Sequence, residues 1–318
     1  MSMTQLQKTR CDQRAEELKN DVAYQTIVGD IKSTVANIRV TQEERIREAN
    51  RNHEKADGSA TSNAVEAAEA MKTSPEHKEF VNKMVDRLNE IEDMWVKHLG
   101  KVVKKHPVYS RWLVNVYGCG PALSGDLLAE FKIDQIYYIG QMFSYAGIVG
   151  STNRKKGEKV NYNVYLKKRL LGVLTTSFLK KSSPYSVYYY QARIRLLQRW
   201  MNSSDEEKAK LSLGHQHLMA NRKMIQAFIK DYYCAFRTIM DIPVICSYEE
   251  EKLGMVHAGN SWTTPEMFLD MSAAEKKAFQ EKTIVKIGEL KKELDNLVKT
   301  SGIKSSGNEE EMTERDDE

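Results

Sequence analysis

The stretch VYGCGPALSGDLLAEF, residues 116–131, decides how the rest of the chain is read. Gly118-Cys119-Gly120 follows apolar Trp112, Leu113 and Val116 and precedes Leu123, Leu127 and Leu128. That spacing predicts two short helices joined by a tight Gly-x-Gly turn, a helix-hairpin-helix. Glycine tolerates positive φ and lets backbone approach a ligand closely, which makes Gly118 and Gly120 candidate contact residues. Pro121 falls at the first position of the second helix, where a missing N–H costs nothing. The free N–H groups of that helix start, with the dipole behind them, suit a phosphate. Such a contact reads nucleic-acid backbone rather than base edges. The structural alternative is a helix–helix turn that only braces the fold.

The charge distribution around this turn favours a polyanion. Between Lys101 and Trp200 there are 17 Lys/Arg against 4 Asp/Glu, a net of +13. The whole chain carries only +4, so the remainder is net −9. A positive field concentrated in one third of the sequence is the footprint of a nucleic-acid-binding region.

Outward from the turn, periodicity predicts helices nearly everywhere. Residues 1 to about 50 read as polar helices with sparse apolar positions (Ile31, Val35, Ile38), and Asn52 to about His77 reads as a linker or a weakly held helix. Val81, Met84, Leu88, Ile91, Trp95, His98 and Val102 step by three and four, an apolar seam on a long helix. His98 reads as a helix-end histidine rather than a ligand. Pro107 ends that helix, because the residue before proline is driven out of the helical region. A long amphipathic helix is expected from His215 to Met240, with Leu218, Ile225, Ile229, Tyr232, Phe236 and Ile239 inside. Its Lys223, Lys230 and Arg237 recur every seven residues and predict a second, cationic face. Ser272-Ala-Ala-Glu275 is a capping box that opens a last helix, seamed by Thr283, Ile287, Leu290, Leu294 and Leu297. The end, Gly307–Glu318, holds seven acids and one base and is expected to be disordered. No stretch alternates with period two for long enough to demand a sheet. The expectation is an all-α chain with a helical N-terminal arm, a helix-hairpin-helix core and a C-terminal helix, divided at 1–76, 77–105, 106–244, 245–301 and 302–318. The 81–102 seam suits a helical hairpin within the chain or a short dimerising coiled coil, and the two seams make a homo-oligomer one expectation.

Between residues 106 and 244, five motifs come in order. They are VYGCGPALSGDLLAEF, Tyr145-Ala-Gly-Ile-Val-Gly150, KKGEKVNYNVYLKKRLLGVL (155–174), Ser183-Pro-Tyr-Ser-Val-Tyr-Tyr189, and GHQHLMANRKMIQAFIKDYYCAFR (214–237) with Asp241-Ile-Pro-Val244. Together they resemble the C-terminal domain of the insertion sequence 110/116/902 transposases, the Piv-like DEDD family. The resemblance implies DNA binding in transposition or recombination, and a serine that joins DNA covalently. It also implies an N-terminal RuvC-like domain with four metal-binding carboxylates, but residues 1–100 have no strand-like runs to mount them. Glu43, Glu44 and Glu48 lie instead on polar helices. The nearest serine is Ser151, with Arg154, Lys155 and Lys156 beside it but no glycine after it and no evident general base.

The remaining basic and aromatic features divide between contact and packing. Lys159, Asn163, Lys167, Lys168 and Arg169 place an amide and four cations around a helix start that suits phosphates. Tyr185, Tyr188, Tyr189 and Tyr190 are spaced to pack one helix face, hydroxyls at the rim. His215 and His217 are two apart and point to different faces, so no joint metal site is expected, nor any cofactor. Cys11, Cys119, Cys234 and Cys246 form no CxxC pair, against a zinc ribbon or a disulfide framework. No apolar run approaches the ~18–20 residues that span a bilayer, and the N-terminus has no signal-peptide pattern, so a cytoplasmic chain is expected. The leading expectation is a DNA-binding protein unable to cut or join DNA by itself, with structured RNA as a second candidate partner. Two alternatives are a strand-transfer enzyme using Ser151 with a partner's metal site, and a helical interaction protein with a vestigial basic core.

Overall fold

The computed structural model describes residues 5–52, 75–149, 159–204, 208, 211–245 and 262–301. These residues are mostly helical, with no strand among them. Helix α1 (Gln5–Asn20) leads into α2 (Val22–Asn52), and α3 (Pro75–Val103) returns along it. Tyr24 lies against His106, 5.6 Å between rings, while Gln42 and Arg45 both donate to Glu92, so the two long helices run antiparallel.

The seam on α3 is real, but its register differs from the one that apolar spacing predicts. Val81, Leu99, Val102 and Val103 are buried, whereas Met84 and Ile91 are each 43% exposed and His98 is exposed. The covered line passes through Val85, Leu88, Glu92 and Trp95. Glu92 holds its place there because Gln42 Nε2 (2.6 Å) and Arg45 Nε (2.9 Å) satisfy its carboxylate. Counting apolar residues alone cannot find a seam position occupied by a paired acid.

Short elements follow. They are α4 (Pro107–Arg111), a 3₁₀ turn (Leu113–Asn115), α5 (Pro121–Glu130), a second 3₁₀ turn (Ile133–Gln135) and α6 (Ile139–Tyr145). Further along come α7 (Val164–Lys168), a π-helical turn (Arg169–Leu174), α8 (Thr175–Lys180) and α9 (Ser186–Met201). Helix α10 (Leu213–Ile239) runs through the centre. A 3₁₀ turn (Pro265–Phe268) and α11 (Ala273–Thr300) complete the chain. The capping box at Ser272 forms as its sequence predicts. The Glu275 N–H donates to Ser272 Oγ, and the Glu275 carboxylate accepts from the Ser272 N–H.

One apolar core extends from Cys11 and Leu18 on α1 through Ile31, Val35 and Ile38 on α2 to Phe268. The N-terminal helices therefore belong to the main body and are not an arm, and the core does not divide at residues 76 or 105. At its centre Trp112, fully buried, packs on Phe228, Tyr232 and Phe268, and its Nε1 donates to Pro265 O (2.7 Å). Ile225, Ile229, Tyr232 and Phe236 are inside as expected, but Leu218 is 52% exposed. On α11, Thr283, Ile287 and Leu290 are buried, with Leu294 and Leu297 partly so, against Val187, Tyr190 and Ile194 of α9. The α11 seam is thus covered by a helix of the same chain, while on α3 the line through Val85, Leu88, Glu92 and Trp95 faces α2 and Met84 and Ile91 stay exposed.

Two buried titratable groups in this core act in opposite senses. His106 Nδ1 accepts from the Val108 N–H (3.2 Å) and caps α4, between the rings of Tyr24 and Phe236. Burial lowers its pKa from 6.5 to about 4. Asp231 accepts from Tyr185 Oη (2.9 Å) and Thr263 Oγ1 (2.7 Å), and burial raises its pKa from 3.8 to about 6. Between about pH 4 and 6.5 the unfolded chain binds more protons at His106. Its contribution is therefore complete above pH 6.5 and is lost as pH falls through about 4. At Asp231 the folded chain binds more protons. That contribution is complete below pH 3.8 and is lost as pH rises through about 6. Each is worth roughly 3 kcal/mol, so the two slopes nearly cancel in the intact chain. In urea unfolding between about pH 4 and 6, His106→Asn, which keeps a capping side chain, is expected to lose stability as pH rises. Asp231→Asn is expected to gain it. Parallel pH profiles for wild type and both variants would refute the assignment.

Candidate nucleic-acid interface

The turn predicted to hold a phosphate is built by two glycines with different jobs. Gly118 has φ +88°, and a Cβ there would lie 2.8 Å from Phe178 Cδ1 and 3.2 Å from Ser177 O. Ser177 Oγ donates to Gly118 O (2.7 Å), which ties the turn to α8. Gly120 is exposed in an extended conformation (φ −71°, ψ 175°) with no neighbour where a Cβ would stand. The turn does not require glycine there, contrary to the sequence expectation. Gly120 caps α5 without a side chain, and Pro121 takes the first helical position. Cys119 between them is buried, which pushes its thiol up to about 12.

Three other elements border the turn. The C-terminal end of α3 abuts α5, where a Cβ on Gly125 would stand 2.8 Å from Leu99 and one on Gly100 3.9 Å from Pro121. From that end Lys101, Lys104 and Lys105 face solvent. Helix α8 brings Lys180 and Lys181, both exposed, at the rim of a groove lined also by Gly172, Val173, Thr176 and Ser177. On α11, Lys276 Nζ donates to Val114 O (2.6 Å) and lies 5.1 Å above the Tyr117 ring.

Two acids of the same segment are turned inward. Asp126 and Glu130, one turn apart on α5, share a face. Asp126, 5% exposed, accepts from Arg169 Nε (2.6 Å) and Tyr165 Oη (2.9 Å). Burial raises its pKa, and Arg169 and Tyr165 oppose that rise. Glu130 pairs with Arg39, whose guanidinium lies 3.5 Å above the Tyr165 ring. Burial therefore sorts these charges: Asp126 and Glu130 are paired inward, and Lys101, Lys104, Lys105, Lys180 and Lys181 lie outside.

The residues singled out from sequence meet different fates. Ser151, Arg154, Lys155 and Lys156 lie outside the described residues. Lys159 and Lys168 are exposed, and Lys167 lies over the Tyr162 ring at 4.4 Å. Asn163 caps α7, its Oδ1 accepting from Leu166 N (2.9 Å), and its Nδ2 donates to Glu130 and to Tyr145 Oη. Asn163 and Arg169 are thus engaged inside the fold rather than presented to a ligand.

The cationic face predicted on α10 does not exist as a stripe. Lys223 is exposed and Lys230 half-buried, but Arg237 is only 1% exposed. Its guanidinium donates to Pro243 O (2.7 Å), Ile136 O and Cys11 Sγ (2.9 Å), joining α1 to the core. A seven-residue repeat marks a common face, but here its Arg237 end lies beneath α1. The four tyrosines pack, with Tyr185 and Tyr189 buried and Tyr188 and Tyr190 half-buried, but the Tyr185 hydroxyl is not at the rim: it is buried and donates to Asp231 (2.9 Å). The groups that sequence reasoning passed over are the doublets Lys104-Lys105 and Lys180-Lys181, and the partner of Glu130. The doublets were visible as unbalanced charge. Arg39 was not, being 91 residues from Glu130.

Comparison with protein-family models, with curated proteins and with solved structures found no match to this chain. The transposase resemblance of residues 106–244 rests on its five motifs alone.

Proposed function

We propose that the chain is a DNA-binding protein of the transposition or recombination type, gripping phosphodiester backbone on the lysine surface around the 116–120 turn. The observation that carries this reading is the sorting of charge. In a segment of net +13, Asp126 is buried and Glu130 half-buried against arginines, while Lys101, Lys104, Lys105, Lys180 and Lys181 remain at the surface. Lysines that neutralise phosphates displace condensed counterions, which gives affinity without sequence preference. The exposed start of α5 adds N–H groups and a helix dipole beside them.

Lys180→Glu/Lys181→Glu is expected to weaken binding to an arbitrary duplex at least ten-fold and to flatten its salt dependence by about two contacts. Lys83→Glu/Lys286→Glu, on α3 and α11 and paired in the native chain with Glu79 and Glu289, is the control and should bind nearly as wild type. Equal losses for both pairs would reduce the effect to net charge and remove the proposed surface. A structured RNA of equal length, run alongside, tests the second partner; a marked preference for it would replace DNA in this reading.

A further inference from the structure

We propose that the acidic run of residues 309–318 docks on the lysine surface around the 116–120 turn and competes there with DNA, which rests on the DNA-binding reading. Seven of these ten residues are acidic, Glu309, Glu310, Glu311, Glu314, Asp316, Asp317 and Glu318, with Arg315 the one base. Fully extended, that is about one negative charge per 5 Å of chain. One DNA strand carries a phosphate every ~3.4 Å. The same lysines that match the one match the other.

The path of α11 sets the reach. It runs alongside α9 in the same direction. Gln280 Nε2 donates to Lys181 O (3.2 Å) and Ser182 O (3.0 Å), Ile287 packs with Val187, and Lys291 lies 5.5 Å above the Tyr190 ring. The level of Lys181 is thus the level of Gln280, and Thr300 lies 20 residues further on, about 30 Å along the helix. From Ser301 to Glu309 the chain spans at most about 30 Å, and the acids that follow extend about 30 Å more. The acidic run begins where its contour length first reaches Lys180 and Lys181. Tethering raises its effective concentration to roughly millimolar, so a weak contact suffices to compete.

The test compares three proteins: the full chain, the chain ended after Ser301, and the full chain with its seven acids changed to Asn or Gln. None of these changes touches the packed face of α11. Both altered forms are expected to bind a short duplex about ten-fold more tightly at low salt, with the gain fading as screening rises. In the unmodified protein, zero-length carbodiimide coupling followed by mass spectrometry is expected to join the tail carboxylates to Lys180, Lys181, Lys101, Lys104 or Lys105. Added DNA should suppress those links. Unchanged affinity, or links confined to α11's own Lys291, Lys292 and Lys299, would overturn the proposal while leaving the DNA reading intact. If none of the three proteins binds DNA, the DNA reading itself falls.

Discussion

Arg169→Met is expected to destabilise the protein by about 3–5 kcal/mol at neutral pH, the cost of leaving one partner of a buried ion pair uncompensated. The Arg169 Nε–Asp126 Oδ2 contact is 2.6 Å, and Asp126 is 5% exposed. Without the guanidinium, Asp126 keeps the Tyr165 hydroxyl but not the charge that opposes its desolvation. The carboxyl pKa then rises further above its unfolded value, so the penalty is present at high pH and is relieved as Asp126 protonates on acidification. Adding Asp126→Asn to Arg169→Met should recover more than half of the loss, because no unpaired charge remains. Urea unfolding of the single and double variants reads this directly. A double variant no more stable than the single one would show that Arg169 acts through packing, not charge.

The second large effect separates the two glycines of the turn. Gly118→Ala places a methyl at φ +88° and 2.8 Å from Phe178 Cδ1. Phe178 cannot give way easily, being fully buried and ring-packed on Tyr185 (5.4 Å) and Phe228 (5.3 Å). Left-handed backbone strain and overpacking together are expected to cost about 2–4 kcal/mol. Gly120→Ala meets nothing and keeps its backbone, so thermal unfolding should place it within about 0.5 kcal/mol of wild type. Its methyl stands at the mouth of α5, and any loss of DNA affinity there reports on contact rather than on folding. Equal destabilisation by the two substitutions would contradict this division of labour.

Local rules made much of the fold legible. Pro107 follows the end of one helix, Pro121 opens another, and Ser272 with Glu275 caps a third, because proline geometry and capping depend on neighbours within one turn. The all-helical class followed from periodicity for the same reason. What the sequence concealed depends on partners distant along the chain. Arg237 looked like a third member of a cationic face, but Cys11, 226 residues away, lies over it. Met84 and Ile91 looked buried until Gln42 and Arg45 gave Glu92 a place in the seam. At the candidate site, the +13 field was visible from composition. The burial of its acids against Arg39 and Arg169 required the tertiary structure.

The most direct test of DNA backbone binding is the affinity of the full-length chain for a duplex of arbitrary sequence, followed by fluorescence anisotropy from about 50 to about 200 mM salt. With five surface lysines engaged, log K is expected to fall linearly with log salt at a slope of roughly −4 to −5, little changed when the duplex sequence is scrambled. A slope near zero, or no binding at the lowest salt by the full chain and by the chain ended after Ser301, would contradict the account.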